Sequence, residues 1–455
     1  MLARVADACR ANDRVFLIHH MRNLLALARV LVTLFALCLI CHTRAEDSDQ
    51  VLFAQDLHWE LDVKQESLGA PHALGVTHPV PPGRGHGTDP WNLSSFTNTT
   101  FHETYHPLFE IDEYLEHLAA LYPENVTIHE LGHSAEGREM YAMRITGGNV
   151  LNEDGQTRVK RGFVISGAQH AREWVASASA LYIAHALLAD SSETNTLTHL
   201  LTDFDFYIIP VPNPDGYVYT WESDRLWYKN RMLLGPNEPC QGLDMNRYWG
   251  YHWSPSEFPT LTSSPLEDFD TLEPDEAEAL RKKKGKKPKK PKKPRPSRPP
   301  PADPCSHWFP GRRPFEAPEV NNIANYVMQL PELVAFMDLR SYGQMLSWPY
   351  SYSCDMLPAD AENLYEAALG AAAAIRKKHG TAYTTGSLCS MLYSAPGNIL
   401  DWMYASAGVK YSYAVHLRDT GTYGYSLPRE WIRPVGEETG TIVDYIIGFI
   451  TSSPK

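Results

Sequence analysis

The sequence has no glycine-rich phosphate loop and no Ser-centred nucleophile elbow, so phosphate-cradling and Ser-nucleophile chemistry find no support in it. Beyond residue 45 no apolar run is long enough to cross a bilayer, and no stable membrane span is expected there. Charge is distributed in blocks, so the average says little about partners. A net charge of −13 coexists with one dense tract near residue 281, which argues against nucleic acid as a partner. Cysteine is scarce, seven in 455 residues.

What is present excludes chain-wide disorder: 43% hydrophobic residues over 455 positions is ample for one large core with appendages. Residues 21–45, "MRNLLALARVLVTLFALCLICHTRA", have a basic start, an apolar middle and a small-residue finish, the pattern of a signal peptide. Met21 is a candidate start. An uncleaved anchor is the competing reading, but Arg29 interrupts the run and Ala45 offers a cleavage site. A secreted or extracellular protein follows, with a vacuolar destination as the alternative.

Loss of the leader (1–45) would remove Cys9, Cys38 and Cys41 and leave Cys240, Cys305, Cys354 and Cys389. An even number in an oxidising compartment suggests disulfides. Of the three pairings, Cys240–Cys305 with Cys354–Cys389 is favoured, because the first would staple the base of a long polar excursion. Asn92, Asn98 and Asn125 each open an Asn-X-Ser/Thr sequon suited to glycosylation.

Residues 46–98 are rich in Pro, Gly and His and read as a zymogen-like pro-segment or linker. From residue 99 the texture becomes that of a folded domain. Ile111, Leu115, Leu118 and Leu121 recur at helical spacing, then "VTIHEL" alternates like a strand. "YAMRIT", "GFVISG", "FDFYIIPVPN", "LVAFMDLRSY" and "KYSYAVHLRD" read as further strands, with helices such as Trp174–Ala189 between them. The expected fold is α/β, a mixed central sheet flanked by helices. Residues 254–303, acidic and then Lys/Pro-rich, cannot join a core and read as a disordered insertion. Its basic part could attract polyanionic wall components; an inert solvated loop is the bland alternative.

"GAQHAREW" sets His170 and Glu173 three residues apart where a strand gives way to a helix, close enough for both to reach one metal ion. Alone the pattern is weak. Together with "NPDGYVYTWESDRLWYKNR", "GLDMNRYWG", "SYGQMLSWPYSY" and "KYSYAVHLRDTGTYGYSLP", in that order, the chain resembles the zinc metallocarboxypeptidases of the carboxypeptidase A/B type. "DRLWYKNR", "PFEAPEV" and "PYSYSC" are most similar to a fungal branch described as inactive and linked to cell-wall organisation.

The resemblance implies zinc on a His, a Glu and a second His, with water in the fourth position. His170 and Glu173 match the first two. Arg340, in "LRSYGQ", stands where the second His belongs, and His416, in "YAVHLRD", stands where the family has its general-base Glu. A guanidinium is a permanent cation and no metal ligand; near a dication's seat it costs on the order of several kcal/mol. Three states stay open: zinc with His416 as a substitute third ligand, zinc held weakly by the remaining pair, or a metal-free site in which Arg340 pairs with Glu173.

The same resemblance implies that Asn246 and Arg247 grip a peptide's terminal carboxylate and that Tyr393 caps it. Arg231 would polarise the scissile carbonyl, and Arg172 and Tyr342 would line secondary subsites. Leu400 would floor the side-chain pocket and favour aromatic or aliphatic terminal residues. The leading expectation is a secreted, monomeric pseudoenzyme that binds peptide or protein C-termini. An active zinc carboxypeptidase removing apolar residues is the alternative, and a purely structural wall protein the third.

Overall fold

The computed structural model describes residues 89–148, 154–255 and 302–452. The leader, most of the expected pro-segment and residues 256–301 of the insertion lie outside the described residues.

Eight strands form one mixed sheet: β1 (Val126–His133), β2 (Glu139–Ile145), β3 (Arg161–Ser166), β4 (Phe204–Ile209), β5 (Leu333–Arg340), β6 (Met345–Trp348), β7 (Thr384–Ser387) and β8 (Tyr411–His416). Their order is β1-β2-β4-β3-β5-β8-β6-β7. The centre, β4-β3-β5-β8, is parallel, whereas β1, β2 and the β6–β8 pairing add antiparallel contacts. The helices are α1 (Leu108–Leu121), α2 (Trp174–Leu188), α3 (Pro214–Glu222), α4 (Pro318–Val327), α5 (Ala361–His379), α6 (Leu388–Met391), α7 (Ile399–Ala405) and α8 (Ile432–Ser452).

Central strands buried on both faces need apolar residues at every position, and the two-residue pleat then sorts them. Phe163, Ile165, Phe206, Ala335, Met337, Tyr413 and Val415 face a core built with α1, α2, α5 and α8. Val164, Tyr207, Ile209 and Phe336 face a second core with Trp249, Val320, Ile323, Trp402 and Met403 from the α4 and α7 side. Each fully buried aromatic here contributes about 1.5–3 kcal/mol relative to exposure. Pleat parity also decides function. Asp338 and Arg340 alternate with Phe336 and share its face, and His416 shares the face of Ala414.

The domain starts earlier than the texture of the sequence suggested. Leu93 and Phe96 are buried in the first core, so the boundary drawn at residue 98 cuts packed structure. Glu193 accepts the backbone N–H groups of Phe96 and Thr97 at 3.2 and 2.6 Å, and Arg433 donates to the carbonyls of Phe96 and Thr99. His102 Nε2 meets His185 Nδ1 at 3.2 Å, and His185 Nε2 reaches the Leu93 carbonyl at 2.9 Å. Polar, Pro-rich surroundings masked these few apolar anchors.

Both favoured disulfides form, Cys240–Cys305 and Cys354–Cys389. The first closes the two ends of the excursion, and Lys229 Nζ donates to the Pro304 carbonyl beside it at 2.9 Å. Asn92 and Asn98 are exposed, whereas Asn125 donates its amide to the Thr146 carbonyl at 2.8 Å where β1 begins, a poor setting for glycan attachment. Among the described residues no helix is long and apolar enough to cross a membrane.

Candidate functional site

The site lies at the C-terminal ends of the parallel strands, the usual ligand edge of such sheets. β3 ends at Ser166 and turns sharply at Gly167, where a Cβ would sit 2.1 Å from the Pro210 carbonyl oxygen. The following turn carries His170 and Glu173 ahead of α2, with Glu173 N–H bonded to the His170 carbonyl at 3.0 Å. The pair therefore converges through a turn rather than through the helix proper. Arg340 and His416 end β5 and β8 and are direct register partners.

Asp244, which sequence reasoning passed over, fixes the imidazole of His170. Its carboxylate meets His170 Nε2 at 3.0 Å, so this nitrogen carries the hydrogen and Nδ1 presents its lone pair toward the end of β5. Tyr228 stacks on the ring at 3.8 Å. Burial would raise the Asp244 carboxyl, but the Arg247 charge and the His170 hydrogen bond overcome it and hold the group at about 2.

The Nδ1 lone pair is taken by Arg340, whose Nη2 donates to it at 2.8 Å. The expected direct pairing of Arg340 with Glu173 is replaced by this contact. Glu173 Oε1 lies 3.1 Å from the same Nδ1, and its Oε2 accepts the Ser341 N–H at 3.3 Å. Burial works against the guanidinium's charge, yet the Glu173 and Asp338 carboxylates outweigh it and raise the Arg340 pKa. Asp338 is buried, bonded to Gln169 Nε2 at 2.8 Å, and burial lifts its carboxyl to about 6 despite Arg340. An acid inside the apolar run "LVAFMDLRSY" was the signal for this residue.

His416 is also buried, and its Nδ1 has no hydrogen-bond partner. Burial first, then the Arg340 charge, lowers its pKa well below the ordinary imidazole value. A base so depressed is a poor proton acceptor at neutral pH. These residues do not fit zinc. Arg340 occupies the lone pair a metal would need, and among the described residues no group of three His, Cys, Asp or Glu is arranged to hold a metal ion.

Asn246, Arg247 and Tyr393, expected to grip a terminal carboxylate, lie together. Asn246 Oδ1 accepts the Ile399 N–H at 2.9 Å, while its buried Nδ2 has no partner. Arg247 Nη2 donates to the Tyr393 hydroxyl at 3.0 Å and Nη1 to the Asn246 carbonyl at 3.0 Å. Gly397, at φ 75°, permits this approach, since a Cβ there would lie 2.2 Å from the Arg247 carbonyl oxygen. Leu400 is fully buried with Leu388 and Ala414 in a small apolar cluster. Arg172 stacks on Tyr425 and Tyr228, and the Tyr342 ring meets Tyr425 edge-on at 5.1 Å. Arg231 has its guanidinium over Tyr219 and Trp227 and near Glu136.

A mixed α/β sheet with the Asn246–Arg247–Tyr393 group and a His-X-X-Glu turn at its strand ends defines a metallocarboxypeptidase-type protein with an altered centre. The sequence profile described as zinc carboxypeptidase matches residues 111–281 and 296–441, and the chain belongs to that family. The profile skips part of the Lys/Pro block. The chain is 34% identical over 395 residues to the "Inactive metallocarboxypeptidase ECM14" of Ajellomyces dermatitidis, covering 82% of this chain and 59% of that protein. It is also 34% identical to the protein of that name from Sclerotinia sclerotiorum, covering 77% and 54%. The chain thus spans little more than half the length of these relatives.

Among solved structures, bovine thrombin-activatable fibrinolysis inhibitor in complex with tick carboxypeptidase inhibitor superposes with a TM-score of 0.62 at 30% identity, covering 78% of this chain and all of that one. Carboxypeptidase A from Helicoverpa armigera gives 0.60 at 26% identity, covering 79% and 76%.

Proposed function

We propose that this chain is a non-catalytic carboxypeptidase-like protein whose cleft binds the free C-termini of peptides or proteins ending in apolar or aromatic residues. The observation that carries the loss of catalysis is the 2.8 Å contact from Arg340 Nη2 to His170 Nδ1, with the depressed His416 beside it. The retained grip supports binding. Asn246 Nδ2 is a buried donor awaiting an acceptor, Arg247 offers a fork-shaped cation, and Leu400 gives an apolar floor.

Two disulfides fit an extracellular setting, and we extend the reading to cell-wall organisation, with the basic block at 281–301 attracting polyanionic wall components. The competing reading, an active zinc carboxypeptidase, has in its favour the Nδ1 lone pair that Asp244 orients, but it requires Arg340 to leave. The test is calorimetric titration of a Phe-ended peptide as free acid and as amide, together with hydrolysis of a blocked dipeptide ending in Phe. Binding of the acid alone, without hydrolysis, is expected. Chelator-sensitive hydrolysis would overturn the non-catalytic part, and equal affinity for the amide would overturn the C-terminus part.

A further inference from the structure

Resting on that reading, we infer that Arg340 acts as a fixed cation in the metal's stead, making the cleft a metal-free, two-cation site for ligands that present two oxygen groups. One is a terminal carboxylate held by Asn246 and Arg247. The other is a second carboxylate, or the neighbouring carbonyl, held by Arg340.

The formal charges around the site balance. Arg172, Arg247 and Arg340 are matched by Glu173, Asp244 and Asp338, so the sign facing a ligand decides what binds. The His170 and Glu173 side chains are 0% and 3% exposed and Asp338 is 0%, whereas the Arg340 side chain keeps 11%. Asp244 is 0% exposed, against 6% for the Arg247 side chain. The Arg340 and Arg247 guanidiniums are more exposed than the carboxylates paired with them, so an incoming ligand meets cations first.

Arg340 has five N–H donors and spends one on His170, and the flanking carboxylates keep it charged. His416, neutral beside it, adds no competing cation. A guanidinium binds carboxylates through paired, charge-assisted hydrogen bonds, chemistry that tolerates chelators.

The experiment is titration of the full chain with 2-benzylsuccinate, a dicarboxylate with an aromatic arm, and with 3-phenylpropanoate, its single-carboxylate counterpart, each with and without chelator. Wild-type protein is expected to prefer the dicarboxylate at least tenfold, about 1.4 kcal/mol, with no effect of chelator. Arg340→Met is expected to erase that preference, bringing the affinities for the two probes to within about twofold of each other. Should Arg340→Met not fold, Arg340→Lys keeps the charge but loses the fork and is expected to retain only part of the preference.

An unchanged preference in the folded variant, or its loss on chelation, overturns the inference while leaving C-terminus binding intact. Failure of the Phe-ended acid and of both probes to bind overturns the proposed function and this inference together.

Discussion

Replacing Arg340 by His should convert the cleft into a metal site. A zinc–imidazole bond along the His170 Nδ1 lone pair is ~2.0–2.1 Å long, and Arg340 Nη2 stands on that nitrogen at 2.8 Å. Ion and guanidinium would lie within about 1 Å of each other and exclude one another. Swinging the guanidinium ~4 Å away still leaves about 8 kcal/mol of repulsion between a dication and a monocation at an effective dielectric of ~20. That is a large share of the ~10–16 kcal/mol a structural zinc site supplies.

Arg340→His removes this repulsion and places a third ligand at the end of β5, facing a lone pair that Asp244 already orients. Wild-type protein equilibrated with zinc and desalted should retain none, and the variant one ion per chain by elemental analysis. Zinc at ~100-fold over its dissociation constant should stabilise the variant by about 2.7 kcal/mol, several degrees in a thermal melt, and chelator should reverse it. Stoichiometric zinc on the wild type with a matching rise in melting temperature would refute the reasoning.

Adding His416→Glu to Arg340→His should restore hydrolysis of a Phe-ended dipeptide that neither single variant cleaves, because base and metal seat are then both present; an inactive double variant that binds zinc would refute this. Leu400→Asp should weaken binding of Phe-ended peptides more than tenfold, about 1.4 kcal/mol, by placing a charge in the Leu388–Ala414 cluster, and unaltered affinity by calorimetry would remove Leu400 from the pocket. Two buried histidines should oppose folding in acid. Burial lowers His185 to about 4 and His102 well below its ordinary value, so both stay neutral when folded and take protons when unfolded. Their contribution is full above ~pH 7 and is lost between ~6.5 and ~4, with His185 alone costing about 2 kcal/mol at pH 5, while the raised Asp338 carboxyl works in the opposite sense. Urea unfolding of the wild type and of His185→Gln at pH 7 and pH 5 measures this, and a stability difference between the two proteins that does not change with pH would contradict it.

The parts of the fold that were legible in the sequence are those whose burial leaves a pattern. Apolar runs at "GFVISG", "FDFYIIPVPN" and "KYSYAVHLRD" become β3, β4 and β8 because strands buried on both faces require them. The short strands β6 and β7, "MLSW" and "TTGS", carry too few residues to show a period, and partners rather than propensity define them. Leu93 and Phe96 escaped because isolated anchors in a polar stretch make no pattern at all.

At the site, residue types were legible and their pairings were not. Arg340 at a ligand position pointed to Glu173 as its partner, since opposite charges attract. The outcome turns on which acceptor was left unsatisfied. Glu173 Oε2 already accepts the Ser341 N–H. Asp244, acting from 74 residues away, claims the N–H of His170 and leaves a lone pair aimed at the end of β5. A buried acceptor without a donor costs about 1–3 kcal/mol. The guanidinium therefore satisfies His170 directly and Glu173 through its charge, and one residue balances the two ligands that a metal would otherwise have held.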